Sequence, residues 1–215
     1  MRSLTTAVTG LVLLAACSQS VTEESAPGVD TTDVTETAAA VTFEGPAAPD
    51  FTLTDSEGNS HALASYLADG KTVVLEWFNP ECPVVKGFHN NGAMLATYND
   101  VAADDVVWLA INSGGKGKQG HGVDKQNAAR TNWNLPYAVL IDEDGTVGRA
   151  YEATNTPHMF VIKDGVIVYR GAIDDSKSAK AGENFVVSAC AAVREGRQPE
   201  TADVKAFGCG VKYAD

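Results

Sequence analysis

The 215-residue sequence is short of cysteine, of positive charge and of long apolar runs, and each shortage narrows what the chain can be. Four cysteines in this length do not make a disulfide scaffold, so each has to be accounted for singly. Sixteen Lys and Arg against 28 Asp and Glu leave a formal net charge of -12, and such a surface repels a phosphate backbone. Nucleic acid is therefore not an expected partner. The stretch before Cys17 is shorter than the roughly 20 apolar residues that span a bilayer, which argues against a membrane helix there. What is present, 44% hydrophobic and 20% charged residues, is ordinary for one globular domain with an appendage and rules out disorder throughout.

The appendage comes first. Met1-Arg2-Ser3 followed by a mostly apolar run through Leu11 to Ala16 reads as an export signal over residues 1–16. Leu14-Ala15-Ala16-Cys17 resembles a bacterial lipobox, which would make Cys17 an acylated first residue and tie the protein to a membrane by lipid alone. An ordinary secretory signal with a chance cysteine is the alternative. The location expected from this is the bacterial cell envelope, facing the periplasm, with Ser18 resembling an outer-membrane sorting pattern if the cell has two membranes. From residue 17 to 46 the chain is rich in Thr, Ser, Ala and Glu, holds no Lys or Arg, and shows no sustained apolar period. It reads as an acidic disordered linker.

Residues 47–215 read as one domain without internal repeats. Strands are expected at Phe51 to Thr54, Thr72 to Phe78, Asp105 to Asn112 and Tyr137 to Ile141. Helices are expected at about Pro83 to Tyr98, Val123 to Trp133 and Glu183 to Arg194, the last carrying Cys190 on an apolar stripe with Val186 and Val193. Lys163-Asp164-Gly165 between two apolar runs signals a β-hairpin. Strands separated by helices, then a hairpin and a final helix, predict a mixed α/β sheet flanked by helices on both faces. Trp77, Trp108 and Trp133 read as core.

Cys82 stands where a strand gives way to a helix that opens with Pro83, a residue favoured at the first helical position. Unpaired amides and the helix dipole there favour the thiolate, the nucleophilic form of the side chain. Lys86, one turn on, is expected to add positive charge, and Glu81 to oppose it. An exposed, electropositive setting is expected for this sulfur in preference to a core position.

Trp77-Phe78-Asn79-Pro80-Glu81-Cys82-Pro83-Val84-Val85-Lys86 resembles the active-site segment of the thioredoxin superfamily, with Val85 in the place of the second cysteine. Ala48-Pro49-Asp50-Phe51-Thr52-Leu53 is similar to the entry strand of its redoxin branch, the alkyl hydroperoxide reductase and thiol-specific antioxidant family. Asn155-Thr156-Pro157 resembles the cis-proline loop that lies beside the reactive cysteine and offers backbone hydrogen bonds to substrate. Phe207-Gly208-Cys209-Gly210-Val211-Lys212-Tyr213 resembles the terminal segment of single-cysteine redoxin-like proteins. The resemblance implies a thioredoxin-like fold over about residues 47–213 and a peroxiredoxin-like or disulfide-exchanging oxidoreductase without a bound cofactor. It departs from a typical peroxiredoxin at Asn79, where Thr is usual, and at Pro157, which aligns roughly with an Arg.

Val85 cannot resolve an oxidised Cys82. Cys209, flanked by glycines, is either the resolving thiol or a structural staple of the tail, and Cys190 reads as buried and inert. Asn79 either bonds near Cys82 or only forms the Asn-Pro turn. The glycine-rich stretch from Gly114 to Gly122 lacks a Gly-Lys-Ser/Thr ending and reads as a mobile loop. His158 is either a base near Cys82 or a polar residue at a strand start. The functional expectation is a Cys82 thiolate that reduces peroxide or exchanges with a protein disulfide, with Cys209 or an external thiol reductant regenerating it. The competing expectation is a non-catalytic module that docks a partner or binds copper through His89, His121, His158, Cys82 and Met159.

Overall fold

The computed structural model describes residues 41–176 and 182–215. The signal, Cys17 and the linker up to residue 40 lie outside the described residues.

Thr52–Asp55 (β1) and Ser60–Ala62 (β2) form a hairpin whose turn is held by the Asp55 carboxylate. Asp55 Oδ1 accepts the amides of Glu57 and Asn59, each at 2.9 Å. Leu63–Ala68 is a short helix, α1, and Thr72–Trp77 is β3. Two helices follow, Pro83–Asn90 (α2) and Ala93–Val101 (α3), then Val106–Asn112 (β4), Val123–Trp133 (α4) and Ala138–Ile141 (β5). The second half comprises Thr146–Ala150 (α5), Asn155–Thr156 (β6), His158–Lys163 (β7), Val166–Gly171 (β8), Phe185–Arg194 (α6) and Cys209–Gly210 (β9).

Seven strands form one mixed sheet in the order β2-β1-β5-β4-β3-β7-β8, with β3, β4 and β5 parallel and the other pairs antiparallel. All six residues of β3 are buried, as befits a strand covered on both faces. Side-chain alternation divides the core in two. Val74, Phe78, Met159 and Val161 pack with α2, α3, α4 and α6 on one face; Val73, Leu75, Trp77, Phe160 and Ile162 pack with α1 and α5 on the other. β6 and β9 form a separate two-stranded ladder at the end of the sheet where β3 gives way to α2.

Three expectations change. The helix expected from Pro83 to Tyr98 is two helices, because Gly92 adopts φ 80°, a left-handed conformation that ends one helix and starts the next. The chain also joins the domain before residue 47: Phe43 is buried in the larger cluster, and Pro46 and Gly165 accept the amides of Ile167 and Ala48. Trp133 is half-buried, stacked on His89 at 4.5 Å, while Trp77 and Trp108 are core.

Candidate active site

The bend that carries Cys82 is set by backbone bonds on both sides. Phe78 leaves β3 with its amide on the Ile111 carbonyl at 2.8 Å, and the Asn112 side chain donates to the Phe78 carbonyl at 2.9 Å. The Asn79 carbonyl accepts the amide of Cys82 at 3.0 Å, and Asn79 Oδ1 accepts the amide of Glu81 at 2.9 Å. Asn79 therefore shapes the turn. Cys82 is the N-cap residue of α2, in an extended conformation, with Pro83 next.

The Thr156-Pro157 bond is cis, and the Cys82 thiol donates to the Thr156 carbonyl at 3.2 Å. β9 pairs with β6 so that Cys209 lies opposite Thr156, and its thiol is within hydrogen-bond reach of Cys82. Both cysteines are free thiols. The structure thus brings together Cys82, Cys209, Thr156 and Pro157, from three separate stretches of chain.

Cys82 is 0% exposed, which corrects the expectation of an exposed sulfur: Gly208 and Cys209 fold over the bend. Burial pushes its pKa up, but hydrogen bonds from the Cys209 thiol, the Val85 amide, Thr156 and the Cys209 amide outweigh it and leave the thiol more acidic than usual. The Thr156 hydroxyl is buried with no other hydrogen-bond partner, so it is available to the thiolate. Burial and the neighbouring Cys82 raise the Cys209 thiol. Of the two sulfurs, the buried Cys82 is more acidic than an ordinary thiol and the partly exposed Cys209 is less so.

Lys86 does not supply the charge expected of it. Its side chain is exposed, and it acts on Glu81. Glu81 is held ionised chiefly by Lys125, at 2.7 Å, and by the Gly120 amide, at 2.6 Å. Nor does the glycine-rich stretch read as mobile: Gln126 donates to the Gly120 carbonyl at 2.6 Å, Gln119 to the Glu81 carbonyl at 3.2 Å, and Gly115 to the Lys212 carbonyl at 2.8 Å. Gly120, at φ 80°, packs so closely on the Asn79 side chain that a Cβ would collide with it. The stretch braces the bend.

His158 lies on the opposite face of the sheet, against Phe160 at 4.5 Å between ring centres, and is not beside Cys82. Its Nδ1 accepts the Thr154 amide at 3.3 Å, and burial pushes its pKa down to about 4. His89 faces Glu76 and His121 faces Glu143, so the three histidines have separate partners, and no cluster of metal-ligating side chains occurs among the described residues. Cys190 is buried in the core, and burial pushes its thiol up to about 12.

One polar group escaped sequence reasoning. Glu76, in the middle of β3, is fully buried; Tyr137 donates to its Oε2 at 3.2 Å, and His89 Nε2 lies 3.3 Å from its Oε1. A carboxylate inside an otherwise apolar strand was the signal.

Residues 45–170 match the AhpC/TSA family. Among solved structures, the chain is similar to an uncharacterized conserved protein from Geobacillus kaustophilus, at 27% identity and a TM-score of 0.70 over 79% of this chain and 92% of that one. It is also similar to the hypothetical protein SMc02350 from Sinorhizobium meliloti, at 26% identity and a TM-score of 0.67 over 79% and 94%. No curated protein matches. The shared architecture is the thioredoxin-like fold that the sequence resemblance implies.

Proposed function

We propose, for a chain that belongs to the AhpC/TSA family, that Cys82 and Cys209 are the working pair of a thiol oxidoreductase whose substrate is a peroxide. The observation that carries this reading is the placement of the Cys209 thiol against Cys82 at the start of α2, with the Cys82 thiol made more acidic and the Cys209 thiol less.

The chemistry follows from that placement. The Cys82 thiolate attacks one peroxide oxygen, the O–O bond breaks, and the departing oxygen takes a proton to leave as alcohol or water. Cys82 is then a sulfenic acid. Cys209 attacks the Cys82 sulfur, the S–O bond breaks, and the hydroxyl leaves as water with the Cys209 proton, giving a Cys82–Cys209 disulfide. An external dithiol supplies two electrons and two protons to restore both thiols. The Val85 amide and Thr156 stabilise the charge on Cys82 before attack. Cys82 is also the better leaving group when the disulfide is reduced.

The second reading is thiol–disulfide exchange on envelope proteins, which is favoured by the seating of a cysteine-bearing strand on β6. Attachment at Cys17 and a periplasm-facing position belong to the same proposal, and rest on Leu14 to Cys17 and the acidic linker.

Peroxide consumption with an external dithiol tests the assignment. Cys82→Ser abolishes it, whereas Cys209→Ser consumes one equivalent and then depends on a small thiol. Undiminished turnover in Cys82→Ser contradicts the proposal.

A further inference from the structure

The tail pairs along residues 154–156. Thr156 and Asn155 pair with Cys209 and Gly210, the Val211 amide donates to the Thr154 carbonyl at 3.1 Å, and the Asn155 side chain donates to the Gly208 carbonyl at 3.0 Å. Cys209 also shows what this edge does: the residue opposite Thr156 has its side chain delivered to Cys82. An extended chain from another protein, added at the same edge, would present a disulfide to Cys82 in the same way, because strand addition fixes the side-chain register. The edge is therefore built for a polypeptide, and a polypeptide already lies on it.

The tail is fastened beyond β9. Tyr213 donates to the Ala153 carbonyl at 2.7 Å and lies under the Arg149 guanidinium, 4.5 Å from its ring centre, while Arg149 also donates to the Ala214 carbonyl at 2.7 Å. Asp215 pairs with Lys118 at 2.8 Å. At the other end, Gly208, at φ 124°, passes so close to the Thr156 carbonyl that a Cβ would collide with it. A tethered strand competes with free chains at a high effective concentration. A peroxide needs no strand edge, only local access to the sulfur.

We infer, on the reading of Cys82 and Cys209 as the working pair, that the tail from Gly208 to Asp215 is a substrate-mimicking strand which excludes disulfide-bearing proteins, with Tyr213 as the residue that sets this specificity. Loosening the tail opens the same nucleophile to protein disulfides: Cys82 attacks one sulfur, the other leaves as thiolate, and a mixed disulfide forms.

The test compares reduced full-length protein with Tyr213→Ala and Asp215→Lys, the latter an exposed change that turns an ion pair into a repulsion and leaves the fold intact. Rates are measured for reduction of insulin disulfides and for oxidation of Cys82 by hydrogen peroxide. Insulin reduction rises by about tenfold in Tyr213→Ala, the effect of moving a local opening equilibrium by one decade, and by less in Asp215→Lys. Peroxide oxidation rises by a smaller factor than insulin reduction, because Gly208 and Cys209 cover the sulfur but a peroxide needs only its local uncovering and not release of the whole strand. Insulin rates equal to the parent's in both variants overturn the inference. Disulfide mapping of the parent after peroxide separates the two levels: a Cys82–Cys209 bond with unchanged insulin rates defeats the tail's role alone, and absence of that bond defeats the pairing and the inference together.

Discussion

Thr156 and Cys209 stand opposite one another in the short β6–β9 ladder, and the Thr156 carbonyl also accepts the Cys82 thiol at 3.2 Å. One residue thereby registers both sulfurs, one through backbone pairing and the other through a side-chain contact.

The first prediction follows from that registration. Since the Cys209 thiol is the largest of the influences that lower the Cys82 pKa against burial, Cys209→Ala raises it and Cys209→Ser, which keeps a donor, raises it less. The ultraviolet absorbance of the thiolate, titrated against Cys82→Ser as a blank, measures the shift. An unmoved midpoint in Cys209→Ala shows that the two thiols do not interact.

Glu76 supplies the second. Removing its carboxylate leaves Tyr137 and His89 buried without their partner, so Glu76→Ala lowers stability by roughly 1–3 kcal/mol beyond the lost packing, and Glu76→Gln by less. Urea midpoints at constant m-value report the difference. Equal midpoints for Glu76→Ala and the parent contradict a structural role for the cluster.

The third concerns acid. His158 is neutral in the fold down to about pH 4, whereas in the unfolded chain it takes up a proton near the ordinary histidine value of 6.5. Between those values the unfolded state binds more protons, so stability falls as pH is lowered, by no more than about 1.4 kcal/mol per pH unit from this group. His158→Gln flattens the slope in that window. A slope identical to the parent's places the acid sensitivity elsewhere.

The fourth tests the tether. Cys17→Ala moves the protein from the membrane fraction to the soluble fraction, as read by fractionation and immunoblot; a variant that still sediments with membranes contradicts anchorage at Cys17.

How far the molecule was legible follows from the length of each signal. Val123–Trp133 stands out as an eleven-residue stretch without Gly or Pro, and β3 as an apolar run of strand length. Leu63–Ala68 and Thr146–Ala150 are too short to show a helical period, and the break at Gly92 is masked by apolar positions that keep helical spacing across it. Cys82 was visible through Pro83, a local sign. The meeting of Cys82 with Cys209 was not: 127 positions separate them, and only β6 and β9 bring them together, so the sequence offered the pair as one of two readings of a glycine-flanked cysteine. Its burial was missed for the same reason, because the covering residues belong to the distant tail.

A disulfide between Cys82 and Cys209 is the bond on which the proposed chemistry turns. Full-length reduced protein, treated with one equivalent of hydrogen peroxide, alkylated and digested, is mapped by mass spectrometry. A Cys82–Cys209 disulfide as the main product, with Cys190 alkylated only after unfolding, is the predicted result. Cys82 left as a sulfenic acid or a small-thiol adduct beside a free Cys209, or a bond from Cys209 to Cys190, would contradict it.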